Sequence, residues 1–226
     1  MASRPIFLSS KSNQEPVFQK NVEFEWVRGR SKVEKRKSIE NLHKAGNMLG
    51  IQNILEVSTK SEQELGVSLS AFNLKSSYFE SKFSVECVYQ SSKVFLNAGP
   101  FSDILYYTSS EAKQDRRLTE SGELISFELN GLKWSNQPST LFYDWIYINA
   151  VAKRHDLCEK LIHYWAFTDI EFNPSRQINC QARSLALMKS FISRNKLDEV
   201  LKSPEAFLDH YPATIEPQGC LDFFSV

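Results

Sequence analysis

The stretch SKFSVECVYQSSKVFLNAGP, residues 81–100, holds a carboxylate, an amide and an amine at regular spacing. Glu86 and Lys93 are seven positions apart, Gln90 lies between them, and Tyr89 flanks the row. The spacing predicts a helix from Ser84 to Asn97, ended by Gly99-Pro100. On such a helix Glu86 and Lys93 fall within about 20° of one face and about 10 Å apart along the axis. That is too far for the usual surface pair of residues three or four apart. It is wide enough to bracket a ribose, with Gln90 hydrogen-bonding in the middle. A carboxyl there can transfer a proton. A lysine desolvated beside a pocket can become a neutral nucleophile and form a Schiff base. The same pattern also describes a solvated polar face, so spacing alone leaves both readings open.

The elements that would position this row are legible in outline. Ile6, Phe7 and Leu8, then Val22, Phe24 and Trp26 alternating with Glu23 and Glu25, read as strands. Residues 33–49 have helical spacing, with Val33, Ile39, Leu42, Ala45, Met48 and Leu49 on the apolar face, and Gly50 as the stop. Residues 51–58 suit a strand. Ser61 opens a short turn that Gly66 closes. Residues 102–117 read as one or two short helices. The segment 123–129 alternates like a strand, and Asn130-Gly131 signals a hairpin into 132–134. Thr140 to Phe167 reads as helix broken near His155. Further helices are expected over 178–195 and 197–210, then a Pro- and Gly-marked tail. With no repeat and no Gly/Ser-rich linker, one α+β domain is expected over 1–226. It is mainly helical, with a small antiparallel sheet built partly from the N-terminal strands.

Composition sets limits. At 226 residues with 16 Phe, 8 Tyr and 4 Trp, the chain can build a core without metal or disulfide staples. Lys plus Arg and Asp plus Glu are 27 each, which excludes a general nucleic-acid coating protein but not a local basic patch. The densest such patch is Arg28, Arg30, Lys32, Lys35, Arg36 and Lys37. It suits DNA phosphates or a solvated helix face. Cys87, Cys158, Cys180 and Cys220 are scattered, and no apolar run approaches a membrane span. A cytoplasmic protein with reduced thiols is expected, with no membrane partner. His43, His155, His163 and His210 have no ligand spacing, so no metal site and no cofactor is expected.

Four segments in order resemble the NADAR (YbiA-like) N-glycosidases. LSAFNL (69–74) resembles the family's L/F-S-N-F segment, with Ala71 in place of Asn. VECVYQSSK (85–93) resembles its E-x-x-x-Q-x-x-K helix at Glu86, Tyr89, Gln90 and Lys93. SSEAKQDRRL (109–118) and the region around Trp134 and Trp145 resemble later segments, so the likeness covers about 65–195 as a family core, with 1–60 as an extension. SIENLHKA, FYDWIYINA and AFTDIEFNPSRQINCQA resemble one branch, encoded beside DarT-type toxins that ADP-ribosylate guanine in DNA. The family's W-G-x-G loop is missing, and FTDIEFNPSRQINCQARS (167–184) stands in its place.

The resemblance implies an antitoxin that hydrolyses the bond between ADP-ribose and the guanine amine. ADP-ribosylated DNA is then its substrate, ADP-ribose its ligand or product, and a DarT-type toxin its functional partner. Glu86 would transfer the proton. Lys93 would either attack the opened ribose or hold a phosphate by charge. In the replacement loop, Asp169, Glu171, Asn173, Asn179 and Gln181 are candidates for ribose hydroxyls or a water, or form a polar turn with helix caps. For the diphosphate, Lys113, Arg116, Arg117 and Arg183 are candidates, Arg116 and Arg183 foremost. For stacking, Phe72, Tyr89, Trp134 and Tyr143 are candidates. Two alternatives keep parts of this reading: glycosidase action on a small ribosylamino metabolite, and neutralisation of the toxin by binding without turnover.

Overall fold

The computed structural model describes residues 1–29 and 31–211. Arg30, Cys220 and the rest of the expected tail from 212 to 226 lie outside the described residues. The fold is α+β, with two small sheets among helices.

Strands β1 (Ala2–Ser9) and β2 (Val17–Phe24) form an antiparallel hairpin in register from Ala2 opposite Phe24 to Ser9 opposite Val17. Val22 and Phe24 point inward while Glu23 is exposed, as the period of two requires. Helix α1 (Lys32–Met48) starts at a capping box, in which Ser31 and Glu34 satisfy each other's backbone N–H. Its middle buries Ile39, Leu42 and Gly46 against the hairpin. A Cβ at Gly46 would stand 2.6 Å from Ile6 Cδ1 and 2.8 Å from Ile54 Cδ1, so glycine sets how closely the helix lies. Val33, Met48 and Leu49, expected on the apolar face, are instead exposed, because only the middle of α1 covers the sheet. Gly50 follows the helix with φ +82°, the left-handed stop expected of it.

Strand β3 (Ile54–Glu56) and helix α2 (Glu64–Ser68) come next. Gly66, expected to stop the turn, lies inside α2. It presses on β3 so closely that a Cβ would be 1.9 Å from the Glu56 carbonyl oxygen. Helix α3 (Val85–Ser91) is shorter than the expected Ser84–Asn97. Ser91 and Ser92 hydroxyls both donate to the Val88 carbonyl oxygen, which competes with continued helix. The chain then becomes strand β4 (Lys93–Phe95).

After α4 (Ser109–Gln114) and α5 (Arg117–Glu120), strands β5 (Leu124–Leu129) and β6 (Leu132–Ser135) form the expected hairpin. Asn130 and Gly131 take the positive φ its tight turn needs. Helix α6 (Leu141–Ala152) is buried along nearly its whole surface. Helix α7 (His155–Lys160) follows the break expected near His155. Ala166 and Phe167, expected as helix, belong to strand β7 (Ala166–Thr168), because they are claimed on both sides by β1 and β3. Helices α8 (Gln181–Ser193), α9 (Leu197–Val200) and α10 (Pro204–Asp209) complete the described chain.

The first sheet runs β2-β1-β7-β3 and is mixed, with β3 and β7 parallel. The second, β4-β5-β6, is antiparallel. The main core gathers Phe127, Phe142, Tyr147, Phe167, Leu187 and Phe191 around α6 and α8. No helix among the described residues is long and apolar enough to cross a membrane. The chain leaves the parallel strands β3 and β7 at the same edge. Ser58–Lys60 and Asp169–Glu171 therefore emerge side by side, where ligands of parallel sheets commonly sit.

Candidate active site

That edge opens into a cavity of about 590 Å³. One wall is α3. Its first turn is fixed by Ser84, whose hydroxyl accepts from Cys87 N at 3.1 Å and lies 2.8 Å from the Ser109 hydroxyl. Ser109 in turn donates to the Phe72 carbonyl oxygen at 2.8 Å. Glu86 N donates to the Ala71 carbonyl oxygen at 3.0 Å. These bonds tie α3, α4 and the 70–73 turn into one frame.

Glu86, Tyr89, Gln90 and Lys93 all line the cavity. Gln90 Nε2 donates to Glu86 Oε1 at 2.8 Å, holding the buried carboxylate. Lys93 reaches the cavity by a different route from the one its spacing suggested. It is the first residue of β4, not a member of the helix. Its Nζ lies 4.7 Å from the centre of the Tyr89 ring. Burial lowers the ammonium from 10.5 to about 8; the Glu86 charge pulls it back up, and Lys113 pushes it further down. Tyr89 is fixed from outside by Asn179, whose Nδ2 donates to the phenol oxygen at 2.5 Å. Two buried carbonyl oxygens of lining residues, Gln90 Oε1 and Asn179 Oδ1, have no protein partner among the described residues. Orphaned acceptors of this kind call for a donor from elsewhere.

The opposite wall comes from the parallel strands and the start of α8. Asp169 lines the cavity, and burial raises its carboxyl well above the usual range, with the neighbouring Glu56 charge adding to the effect. Glu56 sits behind it and is raised by its own burial. Glu56 accepts from Ile170 N at 2.9 Å and from the Thr168 hydroxyl at 2.7 Å. Thr168 spends its only proton there, so His43 Nε2, 2.8 Å from Thr168 Oγ1, is the donor in that contact. Burial lowers His43 to about 4, so the ring is neutral. Gln181 joins three segments. Its Oε1 accepts from Ala71 N at 2.6 Å, and its Nε2 donates to the Val57 carbonyl oxygen at 2.5 Å and to Asp169 Oδ2 at 3.0 Å.

Of the other expected residues, Phe72, Lys113, Tyr143, Glu171 and Asn179 line the cavity. Lys113 Nζ stands 5.6 Å from the Phe72 ring centre. Five expectations are corrected. Arg116 is exposed at the start of α5 and does not line the cavity. Arg117 is clasped by Asp103 at 2.6 Å and Asp115 at 2.7 Å. Trp134 is packed against Phe142 and Trp145 in the core. Arg183 is buried in an ion pair with Asp144 at 2.6 Å and does not reach the cavity. Asn173 turns its side chain to Ser175.

Sequence reading missed Lys60 and Arg176, two cations of the lining, and Glu56 behind it. Arg176 lies inside the 167–184 loop already singled out. Lys60 and Glu56 carried no local signal, since their placement depends on the pairing of β3 with β7. Among the described residues no group of His, Cys, Asp and Glu is arranged to hold a metal ion.

The site thus joins a held carboxylate, an amine whose charge burial disfavours, and cations on two walls. That set can protonate a leaving amine, attack an anomeric carbon and hold an anionic substrate. In comparison with known families, residues 2–218 match the one described as DarT1-associated NADAR antitoxin. No curated protein matches the chain.

Proposed function

The chain belongs to the DarT1-associated NADAR antitoxin family, and from that premise we propose that it is an ADP-ribosyl hydrolase that frees the guanine amine of DNA from ADP-ribose. Its functional partner is then the DarT-type toxin that installs the modification.

What carries the reading is the placement of Glu86 and Lys93 on one cavity, where burial disfavours the lysine's charge. The cavity size suits one nucleotide-sized ligand, since small-molecule sites are commonly about 300–1,000 Å³. Lys113, Lys60 and Arg176 serve the diphosphate, in place of Arg116 and Arg183. Phe72 offers a half-buried ring for stacking, and Asp169 and Glu171 face the ribose hydroxyls.

The reaction adds water across the glycosidic bond, giving ADP-ribose and the free guanine amine. In the covalent route, Lys93 first passes a proton to the Glu86 carboxylate, and its neutral Nζ then bonds to the anomeric carbon. The guanine amine leaves with a proton from Glu86, and the ring oxygen takes up a lysine proton as the sugar opens. The resulting imine is hydrolysed by water, which regenerates Lys93, and the aldehyde recloses as ADP-ribose. Without the covalent step, Lys93 holds a phosphate by charge and water attacks directly.

The test is ADP-ribose release from an oligonucleotide carrying the modified guanine, followed by chromatography. Glu86→Gln is expected to slow release by roughly 100-fold or more, the usual worth of a general acid–base group, while ADP-ribose still binds. Full protection of toxin-expressing cells by Glu86→Gln would instead favour neutralisation without turnover and overturn the proposal.

A further inference from the structure

The basic segment before and within the first turns of α1 is fastened to the rim of the cavity at two points. Lys35 Nζ bonds Glu171 Oε1 at 3.1 Å, and Glu171 lines the cavity. Arg36 Nη2 donates to the Ser61 carbonyl oxygen at 3.4 Å, one residue beyond the lining Lys60. Lys32 precedes these by three and four positions, so it lies on the same side of α1. Arg28, Lys32 and Lys37 are exposed. Glu34 is the one acid in this run, and its carboxylate accepts from Ser31 N at the helix start. The chain as a whole carries no net charge. Lys35 and Arg36 are partly offset by Glu171 and, at 4.0 Å, by Glu62, so the positive charge left for a ligand here rests mainly on the exposed Arg28, Lys32 and Lys37.

We propose that this ridge, formed by Arg28, Lys32, Lys35 and Arg36 and continued by Lys60, seats the backbone phosphates of the DNA strand whose modified guanine is being processed. The proposal rests on the reading of ADP-ribosylated DNA as substrate and adds where the strand lies. ADP-ribose enters the cavity, and the strand runs outside it along α1. Phosphate contacts of this kind fix position without reading sequence, which suits an enzyme that must act wherever its toxin has modified a guanine. Each neutralised phosphate also releases counterions, so binding through the ridge weakens with salt.

The test compares two substrates that share the bond to be broken: an ADP-ribosylated oligonucleotide and free ADP-ribosyl-guanosine. Lys32→Glu/Arg36→Glu is expected to lower kcat/KM on the oligonucleotide about tenfold or more, and to reduce its salt slope by about one for each phosphate no longer neutralised. Release from the nucleoside stays within twofold. Arg28→Glu/Lys32→Glu alters only exposed side chains, so it keeps the result readable if the first variant folds poorly. Lys153→Glu/Lys202→Glu, off the cavity rim, is the matched control and leaves both substrates unchanged. Equal losses on both substrates would assign these cations to the ADP-ribose site, and no loss on either would make them a solvated face. Both outcomes overturn the ridge. An unmodified DNA oligonucleotide, monitored by fluorescence polarisation, reads the ridge separately. Its salt-dependent binding should weaken in both variants, and equal binding by wild type and variants, or tighter binding of an RNA of the same sequence, counts against it. Should wild type release nothing from either substrate, the hydrolase reading fails, while the polarisation result still decides the ridge.

Discussion

Lys93 Nζ lies 4.7 Å from the centre of the Tyr89 ring, and the Tyr89 phenol is itself held by Asn179. The aromatic face gives the ammonium some stabilisation without hydration, but burial still takes the group down to about 8. Close to neutral pH, Lys93 can therefore exist in either form, and pH separates its two possible roles. In Glu86→Gln, where no carboxyl proton is at stake, residual kcat/KM rises with pH to the Lys93 midpoint and then levels if the neutral amine attacks. If the ammonium holds a phosphate, kcat/KM falls above that pH. Glu86 opposes the shift, so Glu86→Gln moves the midpoint to lower pH in whatever activity remains. Borohydride reduction during turnover should leave an adduct on Lys93, and a fall in the Glu86→Gln kcat/KM through that midpoint with no adduct would remove the covalent route.

The same burial has a stability consequence. Lys93 has a lowered value in the folded chain, so below about 8 both states carry the proton and the folded state bears the full cost of desolvating it. The cost is relieved as pH rises from about 8 towards the ordinary lysine value of 10.5. Lys93→Met is expected to abolish turnover yet stabilise the protein at pH 7, on the order of 1–3 kcal/mol. The gain should shrink in denaturant melts at pH 10. A destabilised Lys93→Met at pH 7 would mean that the Tyr89 contact outweighs the desolvation.

Arg183 illustrates a residue whose chemistry was legible but whose place was not. Its guanidinium donates to Asp144 Oδ2 at 2.6 Å, and the Ser184 and Tyr211 hydroxyls converge on the same carboxylate. Removing one partner of a buried pair leaves the other charge uncompensated, at a cost of about 3–5 kcal/mol. Arg183→Met should therefore lower the thermal midpoint strongly. At a temperature where the variant stays folded, its KM for ADP-ribosyl substrates should match wild type. A raised KM with an unchanged midpoint would restore Arg183 to the phosphate site.

What the sequence made visible depends on the range of the forces involved. The β5–β6 hairpin was legible because Asn130-Gly131 dictates its own turn. Helix α1 was legible because its apolar residues recur at helical spacing and Gly50 marks its end locally; the capping box of Ser31 and Glu34 fixes its start. The spacing from Glu86 fits Lys93 to a helix, but long-range pairing of Val94 with Ser126 makes it a strand instead. It still meets Glu86 at the cavity, since a helix end and the strand that succeeds it stay close in space. Trp134 and Arg183 carry groups suited to ligands, but no local pattern distinguishes a stacking platform from a core aromatic, or a phosphate clamp from a buried ion pair. Lys60 and Glu56 became part of the site only through β3 pairing with β7, across more than 100 residues of chain.

Asp169 and Glu56 offer the clearest check on the far wall. Two buried carboxylates this close do not both ionise easily, and each is raised by burial and by the negative surroundings. A carboxyl raised in the folded state binds its proton there more readily than in the unfolded chain. Stability from this site is then greatest in acid and falls as pH rises through the folded value. Asp169→Asn removes the charge while its side-chain oxygen can still accept from Gln181 Nε2, now 3.0 Å from Asp169 Oδ2. The variant should melt higher than wild type at pH 8, and the difference should close towards pH 4. Thermal or urea melts across that range read the effect directly. A variant less stable than wild type at pH 8 would mean that the carboxylate is held ionised by its donors, and the wall would then present a full negative charge to whatever occupies the cavity.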